Sequence, residues 1–387
     1  MPIRPAPIAH AGAAFTACEF FAGGGLAGLG LNLDGVGFRT VLANDIDAAK
    51  ARAFRANHPE TSLIHADVWA VTPDQVPGAP DLCWASSPCQ DVSLAGARGG
   101  LKAQRSGAFW GFWKLMQGLD AEGRAPPIIV LENVVGLLTS GEGQDFAAVC
   151  GAMAEAGYTV GALEIDAGLW LPQSRPRLFI IAMRGVEGPR LPAPAQPFHS
   201  SRLISAWERL PEPVKTNWAW WRLAVPPRRN LDLASVLESD APCFAPAETQ
   251  ALLAMLSPLH RARLEAIQAS GERRVGAAFR RVRVKNGEKL QRLEMRFDGL
   301  AGCLRTPSGG SSRQYVVIVD GGRIAMRRLT GREAARLMGV SDAYRLPASE
   351  SASLKLMGDA VAVPVVEALT RGLFLPALTG RRAEAAA

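Results

Sequence analysis

Four short stretches of this 387-residue chain carry side chains that could make and break bonds. Ser86-Ser87-Pro88-Cys89-Gln90 offers a thiol directly after the apolar run Asp81 to Ala85. A cysteine thiolate is a strong nucleophile toward an electron-poor carbon. Cys89 has a proline before it and a polar, glycine-rich stretch after it, which implies an accessible thiol. Cys18, Cys83 and Cys150 sit in ordinary buried patterns instead. Glu132-Asn133-Val134 closes the run Ile128-Ile129-Val130-Leu131. A carboxylate at the end of an all-apolar strand costs free energy unless it has a partner or a task. Gln173-Ser174-Arg175-Pro176-Arg177 leads into Leu178-Phe179-Ile180-Ile181. In an extended chain residues two apart share a face, so Arg175 and Arg177 are expected to present both guanidiniums to one acceptor. Finally, Gly23-x-Gly25-x-x-Gly28 with Asp45 further on matches a fingerprint in which backbone N–H groups and a carboxylate hold a nucleotide-like cofactor. That loop alone suits nicotinamide, flavin or S-adenosylmethionine equally, or a tight turn with no ligand.

These groups need a scaffold. Ala17 to Ala22, Phe38 to Ala43, Leu63 to Asp67, Asp81 to Ala85 and Ile128 to Leu131 read as short buried strands, with helical patterning between them, as over Ala48 to Asn57. Strands alternating with helices predict a parallel α/β sheet. Such sheets carry ligands at the carboxyl ends of their strands, and each predicted strand ends on the glycines, Asp45, Asp67, Cys89 or Glu132. The pattern changes after Met183. Gly185 to Pro197 reads as a linker, and residues up to Pro227 are rich in Pro, Trp and Arg. Arg280 to Phe297 predicts two strands around Asn286-Gly287, a two-residue hairpin signal. Thr330 to Leu375 returns to helical patterning. The Trp218, Trp220 and Trp221 cluster is expected in a core.

The net charge of +7 is unevenly spread. From Arg273 to Arg332 there are 15 Lys/Arg against 4 Asp/Glu, a local +11, so the remainder is acidic. Basic charge concentrated in one segment suggests a polyanionic partner rather than an evenly solvated face. Six scattered cysteines with no CxxC pair predict reduced thiols and no metal site. No uninterrupted apolar run is long enough to predict a membrane span, and the Pro- and Ala-rich start does not read as a secretion signal.

Taken in order, Phe21-Ala22-Gly23-Gly24-Gly25, Pro88-Cys89-Gln90, Glu132-Asn133-Val134 and Gln173-x-Arg175-x-Arg177 resemble the motifs of the DNA cytosine carbon-5 methyltransferases. Arg328-Leu329-Thr330-x-Arg332-Glu333-x-x-Arg336-Leu337-Met338-Gly339 resembles that family's ninth motif, and Gly358-Asp359-Ala360-Val361 its tenth, with Asp359 where Asn is usual. Glu19-Phe20 likewise stands where Asp-Leu is usual. The resemblance implies an α/β, Rossmann-like S-adenosylmethionine-dependent methyltransferase sheet with a smaller target-recognition domain. The expected division is a catalytic domain over 14–188, a target-recognition domain over 189–345 and a return to the catalytic domain over 346–377, with flexible ends at 1–13 and 378–387.

It further implies that Cys89 adds to carbon 6 of a target cytosine in double-stranded DNA. Glu132 would bond ring nitrogen 3 and the exocyclic amine, and Arg177 the ring carbonyl, with Arg175 and Gln173 in support. Phe21, Gly23, Gly25, Asp45, Ile46, Asp67, Asp359 and Val361 would hold the cofactor. Ser87, Pro88, Gln90, Arg105, Gln173 and Arg313 would meet the substrate, Gln90 to Arg105 forming a mobile loop over a flipped base. A monomer acting in the cytoplasm on the nucleoid is expected, either beside a cognate restriction endonuclease or as a solitary bacterial or phage enzyme. A transfer-RNA methyltransferase shares the fold, but the long basic region favours DNA. A nicotinamide oxidoreductase would leave Cys89, Glu132 and the arginines without roles, and a catalytically silent DNA-binding protein would not need them.

Overall fold

Seven strands form one sheet: β1 (Phe15–Phe20), β2 (Phe38–Asn44), β3 (Ser62–Ile64), β4 (Leu82–Ala85), β5 (Ile128–Asn133), β6 (Thr159–Asp166) and β7 (Pro176–Met183). The structure, a computed structural model, describes residues 15–88, 107–285, 288–305 and 313–386. The strand order is β3-β2-β1-β4-β5-β7-β6. Strands β1 to β5 pair in parallel, as their alternation with helices predicts. Strand β7 runs antiparallel to both β5 and β6, so the sheet is mixed rather than wholly parallel. Strand β6 was not legible in the sequence, because Thr159–Asp166 lacks the continuous apolar run of its neighbours.

The central strands are buried on both faces, which accounts for runs such as Ile128-Ile129-Val130-Leu131. Helix α1 (Leu26–Asn32) begins at Gly25, whose φ of 79° is left-handed; a Cβ there would lie 2.3 Å from the His58 ring. Helix α2 (Ala48–Asn57) is capped by Asp47, whose side chain accepts from the N–H of Ala49 and Lys50. Helices α3 (Ala108–Ala121) and α4 (Gln144–Glu155) bury Phe109, Phe112, Phe146 and Val149 in the main core.

The chain divides into two units. Of the described residues, the larger takes in those of 15–166, 176–226 and 361–386; the smaller takes in those of 167–175 and 227–360. These boundaries differ from those expected. Residues 189–226 belong with the large sheet because Val160 N–H donates to Asn217 O and Ala219 N–H to Val160 O. The short strands β8 (Arg190–Leu191) and β9 (Trp220–Trp221) pair there, and Trp220 and Trp221 are buried. Helix Glu350–Asp359, expected in the catalytic domain, falls in the smaller unit, where Glu350 accepts from Gly331 N–H at 2.7 Å. Helix Val363–Leu369 returns to the larger unit, against α1.

In the smaller unit β10 (Arg274–Lys285), β11 (Glu288–Arg296), β12 (Gln314–Asp320) and β13 (Arg323–Arg328) form an antiparallel sheet ordered β11-β10-β12-β13. Strands β10 and β11 flank the expected Asn286-Gly287 turn, which itself lies outside the described residues. Leu252, Leu264, Leu293, Val317 and Met326 fill the core beneath. The run Glu350–Arg381 is long and apolar enough to cross a membrane, but 61% of its apolar window is buried, as in a core helix. Leu375–Ala386 is helical where flexibility was expected, since Ala377 and Leu378 are buried.

Candidate active site

The carboxyl ends of β1, β2 and β3 build a cradle. After β1 the chain turns sharply: Phe21 has φ 56° and Gly23 φ 58°, and a Cβ on Gly23 would meet nothing within 4 Å. Asp45, just past β2, is 6% exposed. Its Oδ2 accepts from Gly23 N–H at 2.8 Å and its Oδ1 from Asp47 N–H at 2.8 Å. The carboxylate is therefore held against the glycine turn by the chain's own N–H groups. Ile46 beside it is 64% exposed. Asp67 caps a short 3-10 turn through Trp69 N–H. Asn44 ties this region together, donating to the carbonyls of Ile64 and Ala66.

Beneath the turn lies a group that sequence reasoning set aside. Glu19 is 2% exposed and accepts from Gly28 N–H at 3.0 Å. Burial pushes its carboxyl up to about 8, against the lowering effect of the Gly28 and Ala27 N–H groups and with the repulsion of Asp45. Its sequence signals were a carboxylate inside a largely apolar strand and its place where the family usually has Asp.

At the end of β5, Glu132 is buried and its Oε1 lies 3.2 Å from Arg177 Nε. Arg177 is the second residue of β7, whose antiparallel course brings it alongside. Asn133 donates to both the carbonyl and the hydroxyl of Ser87, at 3.1 and 3.2 Å. It pins the segment that leads through Pro88 into Cys89. Asn133 was not among the expected site residues, although its place directly after Glu132 was the available signal. Cys89, Gln90 and Arg105 lie outside the described residues.

Arg175 and Gln173 depart from expectation. Strand β7 begins only at Pro176, so the alternation that would align Arg175 with Arg177 does not reach it. Arg175 belongs to the smaller unit and is 2% exposed. Its guanidinium donates to the carbonyls of Leu304 and Gly358 at 2.9 Å and of Ala360 at 2.5 Å. Gln173, fully buried, donates to Leu337 O and accepts from Leu304 N–H. Both act as internal braces. Arg313 donates to Ser351 Oγ at 3.2 Å. Asp359 ends its helix exposed, and Val361 is buried. Among the described residues no His, Cys, Asp and Glu cluster is arranged to hold a metal ion.

A sheet with five parallel strands, a reversed seventh strand, a glycine turn after β1 and carboxylates at the next strand ends is the framework of an α/β methyltransferase. The chain belongs to the C-5 cytosine-specific DNA methylase family, whose model matches residues 15–374. It is 30% identical over 172 residues to the type II methyltransferase M.Eco47II of Escherichia coli, covering 44% of this chain but only 40% of that protein's length. With the type II methyltransferase M.NgoBI of Neisseria gonorrhoeae it shares 24% identity over 361 residues, 92% of this chain and 94% of the relative. A crystal structure of a Spodoptera frugiperda DNMT2 mutant has the same fold, with a TM-score of 0.57 at 18% identity, covering 92% of this chain and 99% of that one.

The chemistry of the cradle is compatible with S-adenosylmethionine, the methyl donor that the family implies. Gly23 leaves open space beside the turn, the braced Asp45 retains acceptor lone pairs, and Ile46 is an exposed apolar side chain next to it.

Proposed function

We propose that this protein is a DNA cytosine-5 methyltransferase that acts on a flipped cytosine within a specific sequence of double-stranded DNA. The observation that carries the reading is the 3.2 Å pairing of Glu132 with Arg177 at the carboxyl end of β5. Cytosine presents its carbonyl oxygen and ring nitrogen 3 on adjacent atoms. A guanidinium and a carboxyl side by side match that edge, one donating to the oxygen and the other bonding the nitrogen and amine.

S-adenosylmethionine, when bound, supplies the methyl group that carbon 5 takes up. The chain's own work is to make carbon 5 nucleophilic. The Cys89 thiolate adds to carbon 6, breaking the 5,6 double bond and sending its electrons toward carbon 5 and the ring. Glu132 holds a proton at nitrogen 3, and Arg177 stabilises charge at the carbonyl oxygen. Removal of the carbon-5 proton then expels Cys89 and restores the ring. Asn133 acts through Ser87, holding the base of the Cys89 segment. The target atom is stacked inside duplex DNA, so the base must swing out of the helix.

The basic 273–332 segment supplies phosphate contacts, which makes binding salt-dependent. The protein acts as a monomer, on the nucleoid in the cytoplasm, either with a cognate restriction endonuclease or alone. Trapping on 5-fluorocytosine duplex DNA tests the mechanism, since fluorine cannot leave carbon 5 as a proton does. Wild type with S-adenosylmethionine is expected to give a denaturation-resistant adduct, and Cys89→Ala none. An adduct that survives Cys89→Ala would overturn it.

A further inference from the structure

Strands β10 and β11 run on past the sheet that roots them. Strand β12 pairs with β10 only from Arg274 to Phe279, whereas β11 stays paired out to Lys285↔Glu288. Beyond Phe279 the two strands form an arm. A two-stranded ribbon alone is marginal in water, but this one is anchored: Ala278, Leu293 and Met295 at its base lie in the core of the smaller unit. From Arg280 to Arg292 it carries six Lys/Arg and one Glu.

Register divides the arm into two unlike faces. One carries Arg281 and Arg283, with Glu294 across from them; Glu294 pairs with Arg281 at 3.7 Å and also with Arg283. The other carries Val282 and Val284 opposite Gln291 and Lys289, with no acidic residue on it. Val282 and Val284 are 47% and 69% exposed. Exposed β-branched side chains on a strongly cationic ribbon fit a polyanion that also presents apolar groups.

Resting on the function proposed above, we infer that the face bearing Val282, Val284 and Gln291 enters the major groove of duplex DNA and selects an A·T pair in the target site. The major groove admits a two-stranded ribbon. Thymine presents a methyl group there, which an exposed valine can pack against. Adenine presents the donor and acceptor that a glutamine amide bonds bidentately. An acid-free face avoids repulsion by the flanking phosphates. Arg281 and Arg283, on the opposite face, contact phosphates, which position the arm without choosing sequence.

Profiling methylation of a randomised duplex library by the full-length chain, read by bisulfite sequencing, tests this. Wild type is expected to require an A·T pair at one position at least. Val282→Ser and Val284→Ser remove the methyl groups that pack against thymine, and with Gln291→Ala they are expected to relax that position about tenfold or more. Arg281→Ala with Arg283→Ala should leave the sequence profile intact and weaken the salt dependence of binding. An unchanged profile in the Val282, Val284 and Gln291 variants, or a target of G·C pairs only, would overturn the inference. So would an equal loss on all sequences at unchanged melting temperature, which would make the face a general binding surface. If wild type methylates no duplex at all, the proposed function fails, and the arm's role with it.

Discussion

Glu132 and Arg177 stand 3.2 Å apart, Oε1 to Nε, although 45 positions separate them in the chain. The reversal of β7 creates the pair, since a parallel strand would put Arg177 at the opposite end of the sheet from Glu132. Removing the acid should therefore cost catalysis more than folding. Glu132→Gln keeps size and loses the ionisable group; single-turnover methylation is expected to slow by roughly 10²–10⁴-fold. DNA affinity should change little, and the loss of stability should be limited because the glutamine oxygen can still accept from Arg177. A variant within threefold of wild type would remove Glu132 from the chemistry.

Glu19 makes stability pH-dependent. Its folded carboxyl sits at about 8 against an ordinary value of 4.5, because it is buried beneath the glycine turn. Between these values the folded state holds a proton that the unfolded state has lost. Stability from this group is full below pH 4.5 and is lost as pH rises through 8. Glu19→Gln should flatten that slope in urea denaturation measured from pH 6 to 9. An equal slope in the variant would place the titration elsewhere.

Two helical glycines should respond to alanine in opposite ways. A Cβ on Gly30 would lie 2.5 Å from Val366 Cβ and 2.8 Å from Val363 O. Neither can swing away, so overpacking costing about 1–3 kcal/mol outweighs the roughly 1 kcal/mol gained in helix propensity. Gly151 in α4 has open space, and only the gain applies. Thermal melts should show Gly30→Ala lowered and Gly151→Ala raised.

Arg327 and Glu333 form a buried bidentate pair in the smaller unit, at 2.6 and 2.8 Å. Burial opposes the Glu333 charge, but Arg327 and the N–H groups of Thr330 and Glu238 hold its carboxyl below the usual range. Arg327→Met strands that carboxylate and is expected to cost about 3–5 kcal/mol in urea denaturation. The Glu333 contribution is present above pH 4.5 and fades as pH falls through the lowered folded value. The deficit of Glu333→Gln against wild type should therefore shrink in acid.

Much of the site's scaffold was legible without the tertiary structure. Strands β1 to β5 announce themselves through short apolar runs, and the glycine turn and Asp45 follow from turn chemistry within thirty residues. The hairpin strands β10 and β11 were readable from alternation and from Asn286-Gly287. The β6 strand and the true unit boundaries were not, because pairings such as Val160 with Asn217 and Ala219 join segments that local pattern does not connect.

The sequence by itself determined which residue types sit at the strand ends, because burial pattern and turn propensity are local. Only the tertiary structure decided what each one faces. It turned β7 round so that Arg177 meets Glu132, and it started that strand one residue too late for Arg175 to join them. Arg175 instead braces the carbonyls of Leu304, Gly358 and Ala360. Two arginines two positions apart thus have different work. The strand boundary between them depends on hydrogen bonds to residues far away in the chain, which no local pattern records.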